Sequence, residues 1–197
     1  MAEIKSTMDM VMERAARMAA EAEADTGEDR LQAGMRVAAA YLRGEDVDLA
    51  GTVAAQPPAE QSACRRGIVQ VLLRNIFLPR EAEQQKGAEQ AMNGLVQVGR
   101  GSGELLPVFA EMKKILDQYL QHRKQLKEQL EDHFAQQMGQ VEAALAQQTG
   151  MAMKLKPSQH PKFQEEWQKI LTQLNDQYGN ALNQYKKQVE QYLAGGR

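Results

Sequence analysis

Residues 105–149 decide the fold, and they read LLPVFAEMKKILDQYLQHRKQLKEQLEDHFAQQMGQVEAALAQQT. Apolar residues recur in this stretch at alternating spacings of three and four, which predicts one long amphipathic helix. The first of them are Leu105, Phe109, Met112, Leu116 and Tyr119. Arg123 breaks the series, because it occupies a position where an apolar residue is due. After Leu130 the phase slips by one residue, which is a stutter that relaxes a left-handed supercoil.

A second amphipathic stretch follows at residues 161–193. Its apolar positions repeat with a period of about 11 residues, which favours a nearly straight seam. They are Phe163, Trp167, Ile170, Leu174, Tyr178, Ala181, Tyr185, Val189 and Tyr192. Pro157 and Pro161 separate this stretch from the first helix. We therefore expect an antiparallel coiled-coil hairpin with arms at about 105–149 and 161–193 and a tip at 150–160.

The first half of the chain predicts a small helical N-terminal domain. Its first helix is expected to end at Asp25-Thr26-Gly27, and its second to span about 29–43, with Gly44 in the C-terminal capping position. An acidic loop and a Pro57-Pro58 break precede two further helices at about 58–78 and 80–98. Three glycines within residues 99–103 indicate a hinge. The predicted domains are 1–98 and 104–197, joined by the hinge at 99–103.

The composition limits the possible fold classes and the possible binding partners. Aromatic residues make up only 5% of the chain, and strand-favouring residues are scarce, so the composition predicts an all-α fold. The 24 basic and 26 acidic residues give a net charge of -2, which argues against a nucleic-acid partner. Cys64 is the only cysteine, as expected in a reducing compartment. The most apolar stretch, at 67–78, is too short for a membrane helix, so we expect a cytoplasmic chain without membrane insertion.

No pattern of chemically active residues predicts an enzyme. The glycines at 99–103 lack the Gly-Lys-Ser/Thr ending of a phosphate-binding loop. His122, His133 and His160 are not spaced as metal ligands. Cys64 lies beside Arg65-Arg66, which could lower its thiol pKa, but burial of a small side chain in a helix is the favoured interpretation. The sequence predicts a non-enzymatic protein with no cofactor and no metal.

Two apolar groups are candidate protein-binding surfaces. Methionine side chains adapt to varied partners, and the first helix is rich in them. The candidates there are Met8, Val11 and Met12, for which ordinary core packing is the alternative. At the hairpin tip apolar and basic residues alternate, and exposed apolar groups on a rigid arm can contact a partner. The candidates there are Met151, Met153 and Leu155, which could instead fold back to close the end of the hairpin.

The N-terminus carries a family resemblance. The opening MAEIKSTMDMVMER, followed by Tyr41-Leu42-Arg43-Gly44, resembles the start of an uncharacterised bacterial family of helical proteins. The resemblance covers about the first 45 residues, and the alanine-rich stretch at 15–24 departs from it. It implies no activity, cofactor or binding residue. The hairpin is not placed in any family by this resemblance.

The predicted function is that of a scaffold or adaptor that mediates protein–protein interaction through the hairpin and the N-terminal helices. The partner is another protein or a second copy of the chain, because a homodimer could bury the free flank of the hairpin in a four-helix bundle. The alternative is a chaperone or a stalk-like component of a secretion or rotary ATPase machine, which only the hairpin shape suggests.

Overall fold

A computed structural model describes residues 7–99, 103–149 and 157–194, and it describes their side chains outside 7–11, 15, 18–26, 140–149 and 159. The helices are α1 (Thr7–Leu42), α2 (Leu49–Ala54), α3 (Pro58–Arg74), α4 (Ala82–Val98), α5 (Leu105–Thr149) and α6 (Pro161–Ala194). A 3-10 turn covers Pro157–Gln159. Over these described residues the chain forms no strand, so the predicted all-α class is confirmed.

The chain divides into two compact units that do not follow the order of the sequence. Unit 1 contains Met1–Ile76, Gly87–Leu106 and Val189–Arg197, and unit 2 contains Phe77–Lys86 and Pro107–Gln188. Each unit gathers segments that are distant in sequence. The predicted domains at 1–98 and 104–197 stay a prediction. Residues 100–102 lie outside the described residues, and the hinge at 99–103 stays a prediction.

The first helix of unit 1 is longer than expected. The predicted end at Asp25-Thr26-Gly27 is wrong, since α1 is one helix of 36 residues. Glycine ends a helix when it adopts the left-handed conformation, and Gly44 does so with φ 85°. The Glu45 amide then donates to the Ala40 carbonyl at 3.2 Å, as in a Schellman cap. The predicted cap at Gly44 is therefore confirmed.

Helices α1 and α3 pack with their backbones almost in contact. A Cβ atom added to Gly34 would lie less than 3.0 Å from the Cys64 carbonyl oxygen, and one added to Gly67 would lie equally close to the Leu31 carbonyl oxygen. Such separations do not occur for real Cβ atoms, so only glycine fits at these two positions. The buried residues Ala38, Ile68 and Leu72 extend the unit 1 core around this crossing.

A short helix that was not predicted from the sequence follows the acidic residues of the predicted loop. Leu49 and Val53 on α2 are buried. The Asp48 carboxylate accepts a hydrogen bond from the Gly51 amide at 2.9 Å, and it caps the helix N-terminus. The short helix forms because Asp48 satisfies its first turn and two apolar side chains hold it in the core.

Unit 2 brings α5 and α6 together in antiparallel order. The rings of Tyr119 and Tyr178 have centroids 5.6 Å apart, and those of Phe134 and Phe163 have centroids 5.5 Å apart. In these two pairs the residue number on α6 falls as the residue number on α5 rises. The two helices therefore run in opposite directions within this unit. Leu130 and Trp167 complete a buried cluster with the two phenylalanines. The predicted arms agree with the bounds of α5 and α6, whereas coiled-coil interdigitation along them stays a prediction.

The apolar pattern of α6 holds near its start and shifts near its end. Phe163, Trp167 and Leu174 are buried as expected. Tyr192 is 40% exposed, and Leu193 is buried in its place. The shift begins earlier, because Leu182 is buried while the predicted position Ala181 is only half-buried. The period of 11 therefore describes the core-facing side of α6 only in part.

Candidate functional site

A groove of about 660 Å³ lies within unit 2. It is formed by the segment 77–86 together with one face of α5 and one face of α6. Its lining combines two arginines, two aromatic rings, four amide or hydroxyl side chains and two leucines. These residues are Leu78, Arg80, Tyr119, Arg123, Gln164, Trp167, Gln168, Leu171, Thr172 and Asn175.

The Arg123 guanidinium is oriented by the segment that precedes α4. Its Nη1 donates a hydrogen bond to the backbone carbonyl of Arg80. The Arg80 amide donates in turn to the Gln84 side-chain oxygen at 2.7 Å, which holds this segment in place. The Arg123 Nε is buried and has no hydrogen-bond partner among the described residues. One edge of the guanidinium is thus anchored while its Nε–Nη2 edge retains unused donors.

Tyr119 links α5 to α6 through a hydrogen bond. Its side chain is 3% exposed, and its hydroxyl donates to the Asn175 side-chain oxygen at 2.8 Å. Burial raises the pKa of the Tyr119 phenol, while the positive charges of Arg123 and Arg80 act in the opposite direction. The hydroxyl is therefore a neutral donor at physiological pH, and two cations lie close enough to influence it.

The side chains that line the unit 2 groove are suited to binding a ligand. Among the described residues that line the groove, none carries a carboxylate, an imidazole or a thiol. The groove therefore offers cationic and neutral donors, and its described lining supplies no carboxylate or imidazole that could activate the Thr172 or Tyr119 hydroxyl. An anionic group is the ligand that such a site binds best, because an arginine fork and a carboxylate or phosphate have matching geometry.

A second, smaller groove of about 290 Å³ lies within unit 1, between α3 and the end of α6. Arg65 and Arg66 line it together with the Glu190 carboxylate. The acidic side chain offsets part of the local positive charge, so this groove is a weaker candidate for an anionic ligand than the groove in unit 2.

Of the six predicted binding residues, only Met12 has a described side chain, and it lines neither groove. Met12 is 65% exposed on α1. Met8 and Val11 belong to the same helix, and their side chains lie outside those described. The tip residues Met151, Met153 and Leu155 lie outside the described residues. Exposure of Met12 agrees with a surface position, and a binding role for these six residues stays a prediction.

The position of Cys64 argues against a reactive thiol. It is 1% exposed at the crossing of α1 and α3. Burial raises the pKa of its thiol, and the positive charge of Arg30 opposes this effect. Because a protonated and buried thiol is a poor nucleophile, the interpretation of Cys64 as a core residue is favoured over a reactive one.

This burial predicts slow chemical modification of Cys64. In the folded protein we expect alkylation by iodoacetamide at neutral pH to be at least about 100-fold slower than in 6 M guanidinium, where the thiol is exposed. Mass spectrometry of timed samples measures both rates. Equal rates in the two conditions would contradict the buried position.

The described residues contain neither a cluster of metal ligands nor a helix that could span a membrane. In that part of the chain no three His, Cys, Asp or Glu side chains are grouped so as to hold a metal ion. Over the same residues, no helix combines the length and the apolar character needed to cross a bilayer.

The residues of the unit 2 groove were not identified as a site from the sequence. One signal was present, because Arg123 interrupts the apolar series of α5. Arg80 is 43 positions earlier in the chain and gave no signal of its own.

Comparison with curated proteins and with solved structures found no match. A family model described as a family of unknown function (DUF6657) matches residues 50–191. The match does not reach the N-terminal 45 residues on which the resemblance to an uncharacterised family rested, and it instead includes the hairpin that the resemblance left unplaced. Since the match covers well over half of its length, the chain belongs to this family of unknown function (DUF6657).

Proposed function

We propose that the protein is a non-enzymatic adaptor that binds another protein in the unit 2 groove. The observation that carries this proposal is the lining of the groove, which combines two arginines, one of them anchored, with two aromatic side chains and has no carboxylate, imidazole or thiol among its described residues. Arginine, tyrosine and tryptophan are also the residues that dominate binding energy at protein interfaces.

The rigidity of the site supports an adaptor role. The groove is built on α5 and α6. These helices are held together by the buried cluster of Leu130, Phe134, Phe163 and Trp167 and by the hydrogen bond from Tyr119 to Asn175. Side chains on a rigid scaffold lose little conformational entropy on binding, so more of the contact energy contributes to affinity.

Site-specific photo-crosslinking tests this proposal in cells that express the protein naturally. A photoreactive phenylalanine derivative replaces Gln168, which lines the groove, or Gln173, which is exposed on another face of α6. We expect the groove position to capture one discrete protein, and the Gln173 position to capture none. Adding Arg123→Gln to the Gln168 variant is expected to reduce the captured product at least about tenfold.

Two results would overturn the proposal. Equal capture at both positions would show that contacts are not confined to the groove. A product that contains only a second copy of the chain would replace the adaptor with a homodimer. The alternative role as a chaperone or machine stalk has no supporting observation of its own in the described residues, and it stays a prediction.

A further inference from the structure

The free edge of Arg123 suggests what the groove recognises. Its Nη1 is used by the Arg80 carbonyl, whereas its Nε is buried without a partner. A buried donor that lacks an acceptor is unfavourable, and a ligand oxygen would relieve that cost. The Nε and Nη2 atoms together form a two-pronged donor that matches the two oxygens of a carboxylate.

The charge around the groove favours an acidic ligand. Arg80 and Arg123 both line it, and no acidic side chain among the described residues does so. Two arginines in a partly enclosed site attract a carboxylate more strongly than they would in open solvent. The Tyr119 hydroxyl and the Asn175 amide add neutral polar groups beside them.

The length of the groove favours a peptide over a small ion. Gln164, Gln168 and Asn175 lie along α6, and the first and last of them are separated by about 16 Å at the helical rise of 1.5 Å per residue. This distance equals about five residues of extended chain. Side-chain amides carry both a donor and an acceptor, so Gln168 can pair with the backbone of an extended peptide.

We propose that the groove binds an acidic peptide segment of about five residues, with one of its carboxylates on the Nε–Nη2 edge of Arg123. This inference rests on the proposed adaptor function and names the chemistry of the partner. Trp167 lies against the same ligand, since it lines the groove at the level of Gln164 and Gln168.

The test uses Trp167 as an internal probe, because it is the only tryptophan in the chain. The full-length protein is titrated with an end-capped pentaglutamate peptide, and its tryptophan fluorescence is recorded at low ionic strength. We expect a saturable change, with at least about tenfold weaker binding of the matched pentaglutamine peptide. Inorganic phosphate and free glutamate are expected to bind at least about tenfold more weakly than pentaglutamate.

Two charge-matched variants make the test specific. Arg123→Gln is expected to weaken pentaglutamate binding at least about tenfold. Lys124→Gln removes the same charge from the next residue, which pairs at 3.8 Å with Glu128 outside the groove, and it is expected to change the affinity less than about twofold. Equal thermal unfolding curves check that both variants fold.

The inference is overturned if the two pentapeptides bind equally, if both variants weaken binding alike, or if phosphate binds as tightly as pentaglutamate. These results are separate from the crosslinking experiment. Groove-dependent capture without pentaglutamate binding would leave the adaptor function standing and reject the acidic ligand. Pentaglutamate binding without capture of a protein would reject the adaptor function alone.

Discussion

Replacing Gly67 with alanine is expected to lower the free energy of unfolding by about 3 kcal/mol. The added Cβ would lie against the Leu31 carbonyl oxygen, which is part of the α1 backbone and cannot rotate away. Helices α1 and α3 would have to separate, and the buried residues around their crossing would lose contacts. Alanine favours helix over glycine by up to about 1 kcal/mol, so the clash must outweigh this gain. Urea denaturation followed by circular dichroism measures the change.

Gly27→Ala is the matched control, because the same substitution falls on α1 where no atom lies within 4 Å of the added Cβ. For Gly27→Ala we expect the free energy of unfolding to rise by about 0.5–1 kcal/mol, from helix propensity alone. Gly34→Ala is expected to behave like Gly67→Ala. The double variant should lose less than the sum of the two, since helices already separated by one methyl group accommodate the second more easily. A gain in stability for Gly67→Ala would contradict the close approach of the helices.

The second large effect is expected at Phe163. Its side chain is 1% exposed and packs edge-to-face on Phe134 in the cluster with Leu130 and Trp167. Phe163→Ala leaves a cavity that the surrounding helices fill only in part. We therefore expect the free energy of unfolding to fall by about 4 kcal/mol. Because Trp167 belongs to the same cluster, its fluorescence during denaturation reports on the affected part of unit 2.

Phe77→Ala serves as the comparison for Phe163→Ala. Phe77 belongs to the same unit but is 46% exposed, so its loss is expected to cost less than about 1 kcal/mol. Phe163→Leu retains most of the buried volume, and it should fall between these two variants. If all three variants unfold at the same denaturant concentration, the cluster does not stabilise unit 2 as we describe.

The bounds of a helix could be predicted where its apolar periodicity is long or where proline or glycine marks its end. The arms at 105–149 and 161–193 follow from long apolar periodicity and from the prolines that separate them. Gly44 was recognised as a helix end, and it has the positive φ that such an end requires. Gly27 was wrongly predicted to end a helix, because the residues beside it resemble a helix C-terminus. Its own backbone stays helical within α1. Glycine composition alone does not reveal which conformation a glycine adopts.

The candidate site could be predicted only in part. The interruption of the α5 pattern at Arg123 was visible, because periodicity marks any residue that breaks it. The anchor on that side chain was not visible, since it is a backbone carbonyl at Arg80, 43 positions away. Backbone groups carry no residue-specific signal in a sequence, so a site that uses them cannot be recognised before the chain is folded.

The sequence by itself determined the all-α class, the two long helices and part of their core-facing sides, because helix propensity and apolar spacing act over neighbouring residues. Only the tertiary structure decided three further features. It placed the segment 77–86 in unit 2 with the hairpin helices, it made glycine necessary at positions 34 and 67, and it assembled the groove around Arg123. Each of these depends on contacts between residues distant in the chain, which local periodicity does not specify.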